Sequence, residues 1–424
     1  MLKRRVAILA LFLYGAAVAI AVLSPINPYG GGKTLAKGCD FMMRVTEIDC
    51  LLRGVNPYDV WHGDVVMKPY VPNYGEPRAA VEGKEGFTEE INAYAPWEYM
   101  MMLPFALMPR TLSWVLYFAL MLASLGALFA VGRSFAMRFA GAGRDAGVVV
   151  GAAAILLAGL PIYQNFHAGN LAVPVLLAAA LMAVCLNQGR DALAGVCWAF
   201  VMLKPQLGLV FAVPLLMKRK YLTCFVAAAL CLVLTVVSSF FCHTSPLDLI
   251  LQTPAANTFA FMGCGTFPYF LCSCLPGDSD IVAGLAVGAV LCFFMTRSLE
   301  KAGFRDWIVL AMPAAVVGAA WSYSQCYCFT MNWFFFAVLA ASLARWPRSK
   351  FLWCVAALSA LLMTRLYNLG HTLMAIASGP GFDPATPAHY HVDSLVTSAG
   401  LVLTVALCVW LAKNAKQGEC NVQG

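Results

Sequence analysis

Apolar stretches of about twenty residues recur along nearly the whole chain, and short segments between them hold most of the charges. A run of that length crosses a hydrocarbon core as a helix. Open-edged or irregular backbone does not cross one in contact with lipid. The pattern restricts the chain to an all-α polytopic membrane protein. The runs fall near residues 6–23, 111–132, 146–163, 170–187, 221–241, 281–296, 307–324, 329–344, 351–372 and 394–412. They predict a helical bundle of about ten transmembrane helices in a single integral membrane domain, residues 1–424.

Composition agrees with this reading. The chain is 61% hydrophobic and 12% charged, with a mean hydropathy of +0.75, where soluble domains carry about 25% charged residues. A net charge of +7 is not a nucleic-acid footprint here, because the basic residues lie in the short connections. Lys3, Arg4, Arg5, Arg133, Arg138, Arg144, Arg190, Lys218, Arg219, Lys220, Arg297, Lys301, Arg305, Arg345, Arg348, Lys350, Lys413 and Lys416 all fall on one side of the predicted topology. The positive-inside rule makes that side cytoplasmic, with both chain termini on it. The first loop, residues 25–110, is the long outer loop, too long for the rule to apply. The expected location is the plasma (inner) membrane. The apolar run after Met1–Arg5 reads as an uncleaved first helix.

Residues 191–217 break the pattern. Arg190 and Lys218-Arg219-Lys220 flank both ends and Lys204-Pro205 interrupts the middle. Two half-helices returning to one side fit this better than a single span, a broken or re-entrant pair of the kind tolerated where it lines a cavity. Arg365 and Lys204 are the basic residues that fall inside spans. A lysine at that depth needs a partner; a lipid phosphate is one, and snorkelling to the interface is the other reading. Arg365 is either a phosphate ligand or an interface anchor.

The most polar segment near the first span is Gly38–Asp59, GCDFMMRVTEIDCLLRGVNPYD. Asp40 to Arg53 predicts a short helix, ended by the turn at Gly54-Val55-Asn56-Pro57. Its carboxylates Asp40, Glu47 and Asp49 are candidate general bases, and each also fits a solvated or capping role. On a helix Glu47 shares the face of Asp40 and Asp49 turns away from it. Met100–Pro109 is apolar but too short to span, and predicts an interfacial helix introduced by Tyr94, Trp97 and Tyr99. Asn56 and Tyr58 build the turn or touch substrate. Tyr94 and Trp97 stack on a sugar or belong to an interfacial belt. His167, Asn170 and Tyr323 fall at outer helix ends. Among sixteen cysteines, Cys39, Cys50, Cys242, Cys264, Cys272 and Cys274 lie on the outer side, where an oxidising compartment permits disulfides.

The order Asp40-Phe41, Gly54-x-Asn56-Pro57-Tyr58-Asp59, Tyr94-x-Pro96-Trp97, Ala168-Gly169-Asn170-Leu171, Gly189-Arg190, Leu193-Ala194-Gly195, Lys204-Pro205 and Lys218-Arg219-Lys220 resembles glycosyltransferase family 87 over roughly residues 5–240. The resemblance implies a GT-C-type membrane glycosyltransferase related to polyprenol-phosphate-mannose-dependent mannosyltransferases. It implies a polyprenyl-phosphate-linked sugar donor, a lipid or glycan acceptor at the outer face of the cell envelope, and inversion at the anomeric carbon. It makes Asp40 the catalytic base, with Asp49 and Glu47 as alternatives. The substrate-binding candidates are Asn56, Tyr58, Tyr94, Trp97, His167, Asn170, Lys204, Tyr323 and Arg365. No cofactor, metal site or nucleotide-binding half is expected. Where relatives place a Trp and a His after Ser-Pro, this chain has Cys326-Tyr327-Cys328 and Asn332-Trp333. The rival readings are a transporter or flippase, and a polymerase or ligase of lipid-linked glycans. Both fit less well: charges are sparse inside the spans, no internal repeat is seen, and the largest loop comes first.

Overall fold

A computed structural model describes residues 2–23, 39–62, 95–141, 143–252, 279–321, 326–363 and 387–420. Every regular element among them is a helix. Four helical stretches are long and apolar enough to cross a membrane: Thr111–Phe139, Tyr221–Cys242, Cys328–Arg345 and Ser398–Ala415. The stretch read as one span over 146–163 is instead two helices, α6 (Arg144–Leu157) and α7 (Gly159–Ala168), bent by 61° where they meet; as one span they would be a fifth. Helix α1 (Leu2–Leu23) braces the bend, its Tyr14 hydroxyl donating to Gly159 O at 2.6 Å. The chain is a helical, multi-pass membrane protein.

The axis of the bundle is α14 (Trp307–Ala320), in which every residue is buried. A helix that is apolar all round has no face to give to polar solvent and takes the centre. It packs on α8 (Ala172–Asn187), α13 (Ser279–Lys301), α15 (Trp333–Arg345) and α17 (Pro387–Cys420). Outside these lie α5 (Arg110–Phe139) against α6 and α8, α9 (Asp191–Val201) against α8 and α12 (Tyr221–Cys242), and α16 (Lys350–Leu362) against α17. The outward surface is apolar. Phe225 and Phe240 of α12 are 70% and 74% exposed, a cost in water that lipid removes.

One end of the bundle gathers basic residues. Arg138 at the end of α5 pairs with Asp306 at 3.1 Å, and Asn187 donates to the same carboxylate. Asp306 also caps α14 by accepting from Ile308 N at 2.9 Å, which satisfies one of the free donors of a helix start. Lys218 pairs with Glu300 at 3.0 Å, and Arg345 donates to Phe139 O. Lys220 pairs with Asp191 at 2.8 Å. That contact brings the start of α9 and the segment after α11 (Ala212–Met217) to the same place, so residues 191–217 leave and return at one end.

Candidate functional site

Away from the basic end, three short helices sit over the break in residues 191–217. The first is α2 (Cys39–Leu52). It realises the helix expected from Asp40, with the carboxylate in the first turn, where the exposed N–H groups favour negative charge. It ends at Gly54, whose φ of +76° suits glycine, and Val55 N–H returns to Cys50 O at 3.0 Å. Phe41, Arg44, Val45, Glu47, Ile48, Cys50 and Leu51 are buried. Phe41 stacks on Tyr117 with ring centroids 4.5 Å apart. That contact fixes the chain next to Asp40.

Beyond the turn, α3 (Pro57–His62) follows Asn56. Asn56 Oδ1 accepts from Tyr58 N at 3.1 Å, and its amide donates to Asp59 and to Gln252. Asn56 and Tyr58 are both buried, and both build the turn.

Helix α4 (Pro96–Ala106) begins four residues before the expected Met100, with Pro96 in the first turn. Proline loses nothing there, because that N–H has no intrahelical partner. Ser238 of α12 donates to Pro96 O at 2.8 Å and ties α4 to the bundle. Tyr58 and Tyr99 meet edge to face, with centroids 6.5 Å apart.

The break beneath is caused by Pro205. The residue before a proline is pushed out of the helical region, and Lys204 has φ −119° and ψ 87°. Helix α9 stops at Val201, α10 (Pro205–Gly208) starts after Lys204, and a 3-10 turn, Leu209–Phe211, leads into α11. Carbonyls exposed by a break inside a bundle need donors. Three indoles supply them: Trp97 to Met202 O at 2.7 Å, Trp198 to Gly208 O at 2.9 Å and Trp321 to Gln206 O at 2.6 Å. Trp97 therefore braces the break with its ring nitrogen. Gly318 lets α14 come close, since a Cβ there would lie 2.9 Å from Leu207 O.

The charged groups converge between these elements. Asn170 follows Gly169, whose φ of +69° ends α7. Its Oδ1 accepts from Ala172 N at 3.0 Å at the start of α8, and its amide donates to Asp40 Oδ2 at 2.5 Å. Arg44 Nη1 donates to Glu47 Oε2 at 2.7 Å. Arg44 Nε lies 3.9 Å from Glu98 Oε1. Arg44, Glu47, Glu98, Asn170 and Lys204 are each 3% exposed or less. Lys204 at 1% is enclosed by protein, so the snorkelling reading fails. Burial pushes the Glu98 carboxyl up to about 7; the charges of Arg44 and Lys204 oppose that shift and the charge of Asp40 adds to it. All three therefore stand within electrostatic reach of Glu98.

Among the sequence candidates, the structure joins Asp40 to Asn170 and brings Lys204 into the field of Glu98. Glu47 is committed to Arg44. Asp49 is 31% exposed on another face and pairs with Arg53 at 2.7 Å. His167 lies in α7, and its side chain falls outside the described residues, as do Tyr94, Tyr323 and Arg365. Cys50 and Cys242 carry free thiols; of the other outer cysteines, Cys264, Cys272 and Cys274 and the side chain of Cys39 fall outside the described residues.

Glu98 and Arg44 were missed by sequence reasoning. A signal existed for Glu98: it sits four residues before Met102 and next to Tyr99 on the buried stripe of an otherwise apolar helix.

An apolar helical bundle with a buried cluster of carboxylates, cations and an amide over a broken helix defines a membrane protein with an enclosed polar site. A family model, that of glycosyltransferase family 87, matches residues 92–258. The resemblance read from the motifs thus holds over that part of the chain. The matched residues include Glu98, Asn170 and Lys204, while the Asp40 helix precedes them. No curated protein matches the chain.

Proposed function

We propose that the chain transfers a sugar from a polyprenyl-phosphate donor to a hydroxyl of a lipid or glycan acceptor at the outer face of the plasma membrane. The acceptor oxygen attacks the anomeric carbon from the side opposite the phosphate. The new C–O bond forms as the bond to phosphate breaks, and the anomeric configuration inverts. Asp40 takes the acceptor proton as general base. The electron pair leaves with polyprenyl phosphate, whose charge Lys204, or Arg365 from its own span, stabilises. The expected ten spans belong to this proposal, as does the orientation with the basic end and both termini in the cytoplasm and residues 25–110 outside. Residues 191–217 then form a re-entrant pair. The eleven residues of α9 rise about 16 Å from the basic end to the break at Lys204.

The observation that carries this reading is the hydrogen bond from Asn170 to Asp40. A side chain that also caps α8 holds the carboxylate beside the Glu98 and Lys204 cluster. Glu47 pairs with Arg44 and Asp49 with Arg53. The test is transfer by Asp40→Asn and wild type in membranes supplied with polyprenyl-phosphate sugars and envelope lipid acceptors. The expected outcome is a loss of turnover of at least about a hundredfold with donor binding retained. Full activity in the variant moves the base to another residue. No transfer by wild type from any donor rejects the reading.

A further inference from the structure

We infer that Glu98 is a sugar-binding carboxylate, accepting hydrogen bonds from two adjacent hydroxyls of a substrate sugar. This deepens the proposed function and rests on it. Three observations support the inference. Glu98 is 1% exposed, and among the described residues neither Oε1 nor Oε2 accepts a hydrogen bond. Arg44 does not fill the gap: its Nε stands 3.9 Å away, beyond hydrogen-bond reach, and its Nη1 serves Glu47. Finally, Glu98 feels the charges of both Asp40 and Lys204, so it lies within electrostatic reach of the proposed base and the proposed phosphate ligand.

A buried carboxylate without donors is costly, and the native fold keeps the group because something else satisfies it. The complement of two parallel acceptor oxygens is a pair of donors a few ångströms apart. A vicinal diol presents that pair, and hydroxyl-to-carboxylate bonds are among the stronger hydrogen bonds. The local anchoring suits a specificity residue. Pro96 is tied to Ser238 and Trp97 to Met202 O, so the residues just before Glu98 are fixed on both sides of α4. A rigidly held acceptor rejects a substrate lacking the matching hydroxyl, because the acceptor is then left buried and unpaired. The diol belongs either to the transferred sugar or to the acceptor.

The experiment pairs substrate deletion with side-chain change. Transfer by wild type and by Glu98→Gln and Glu98→Ala is measured with native substrates, with donors lacking one sugar hydroxyl at a time, and with acceptors lacking one at a time. Wild type is expected to lose on the order of ten- to a hundredfold in kcat/KM with two neighbouring deoxy analogues of one substrate. Which substrate shows the loss assigns the diol to donor or acceptor. Glu98→Ala should lose a similar factor with the native pair and little more with those analogues. A cooperative thermal unfolding transition in Glu98→Gln shows that the variant is folded. Losses that multiply in the variant for every analogue overturn the inference and leave the transferase reading intact, as does full activity of Glu98→Ala with native substrates. Failure of wild type to transfer from any polyprenyl-phosphate sugar overturns both.

Discussion

The two ends of the bundle use the same residue types in opposite ways. At the basic end Arg138, Lys218, Lys220 and Arg297 keep a quarter to a half of their side-chain surface exposed, and each meets a carboxylate at 2.8 to 3.1 Å. Those contacts are cheap to make, because water still solvates both partners. At the other end Arg44, Glu47, Glu98 and Lys204 are almost entirely enclosed; Arg44 meets Glu47 at 2.7 Å, while among the described residues the cation nearest Glu98 stands 3.9 Å away. Burying charge without close pairing costs several kcal/mol per ion. Stability alone therefore explains the first end and leaves the buried Glu98 unexplained. The difference marks where the chain retains polar groups for chemistry.

Four results would break or sharpen that contrast. The largest effect is expected in Asp40→Asn, where turnover should fall at least about a hundredfold while thermal unfolding shifts little. An Asp40 variant that unfolds instead would make the carboxylate a structural support of Asn170. Next comes Lys204→Met. Removing a cation that is 1% exposed should cost about 3–5 kcal/mol in unfolding measurements, and adding Glu98→Gln should return part of it. If the two changes simply add, the pair is not coupled and the cluster is not a single electrostatic unit.

The third expectation concerns pH. The folded-state Glu98 carboxyl titrates near 7, above its ordinary value of 4.5, because of burial. The folded state thus binds this proton more tightly than the unfolded one. The stabilising contribution is complete below the ordinary value and is lost as pH rises through about 7. Wild type should lose stability over that window more steeply than Glu98→Gln, read by thermal unfolding at a series of pH values. Parallel curves would show that Glu98 is better compensated than its geometry indicates. The smallest effect belongs to the basic end. Lys218→Ala removes a pair whose partners are 30% and 22% exposed, and should cost less than about 1 kcal/mol. A loss as large as that of Lys204→Met would erase the distinction between the two ends.

Helix positions were legible because apolar runs and turn residues act locally. Asp40 stands in the first turn of α2 and Gly54 closes it, and each apolar run contains a helix among the described residues. The bend between α6 and α7 was not legible, since it depends on α1 packing at Gly159. Neither was the hydrogen bond of Trp97. Beside Pro96 it reads as an interfacial aromatic, and only the folded chain brings its ring nitrogen to the Met202 carbonyl. Glu98 was overlooked for the same reason: an acid beside two aromatics reads as solvated until α2, α12 and the break close around it.

The sequence by itself determined the solvent this protein folds in and which segments are helical. Both follow from free energies that are nearly additive along the chain, the transfer of apolar side chains out of water and the satisfaction of backbone groups within each helix. Only the tertiary structure decided which polar residues share a site. Asp40, Glu98, Asn170 and Lys204 come together through contacts between α2, α4, α7, α8 and the α9–α10 break. The electrostatics of that group depend on distance and burial in three dimensions, which no spacing along the chain records.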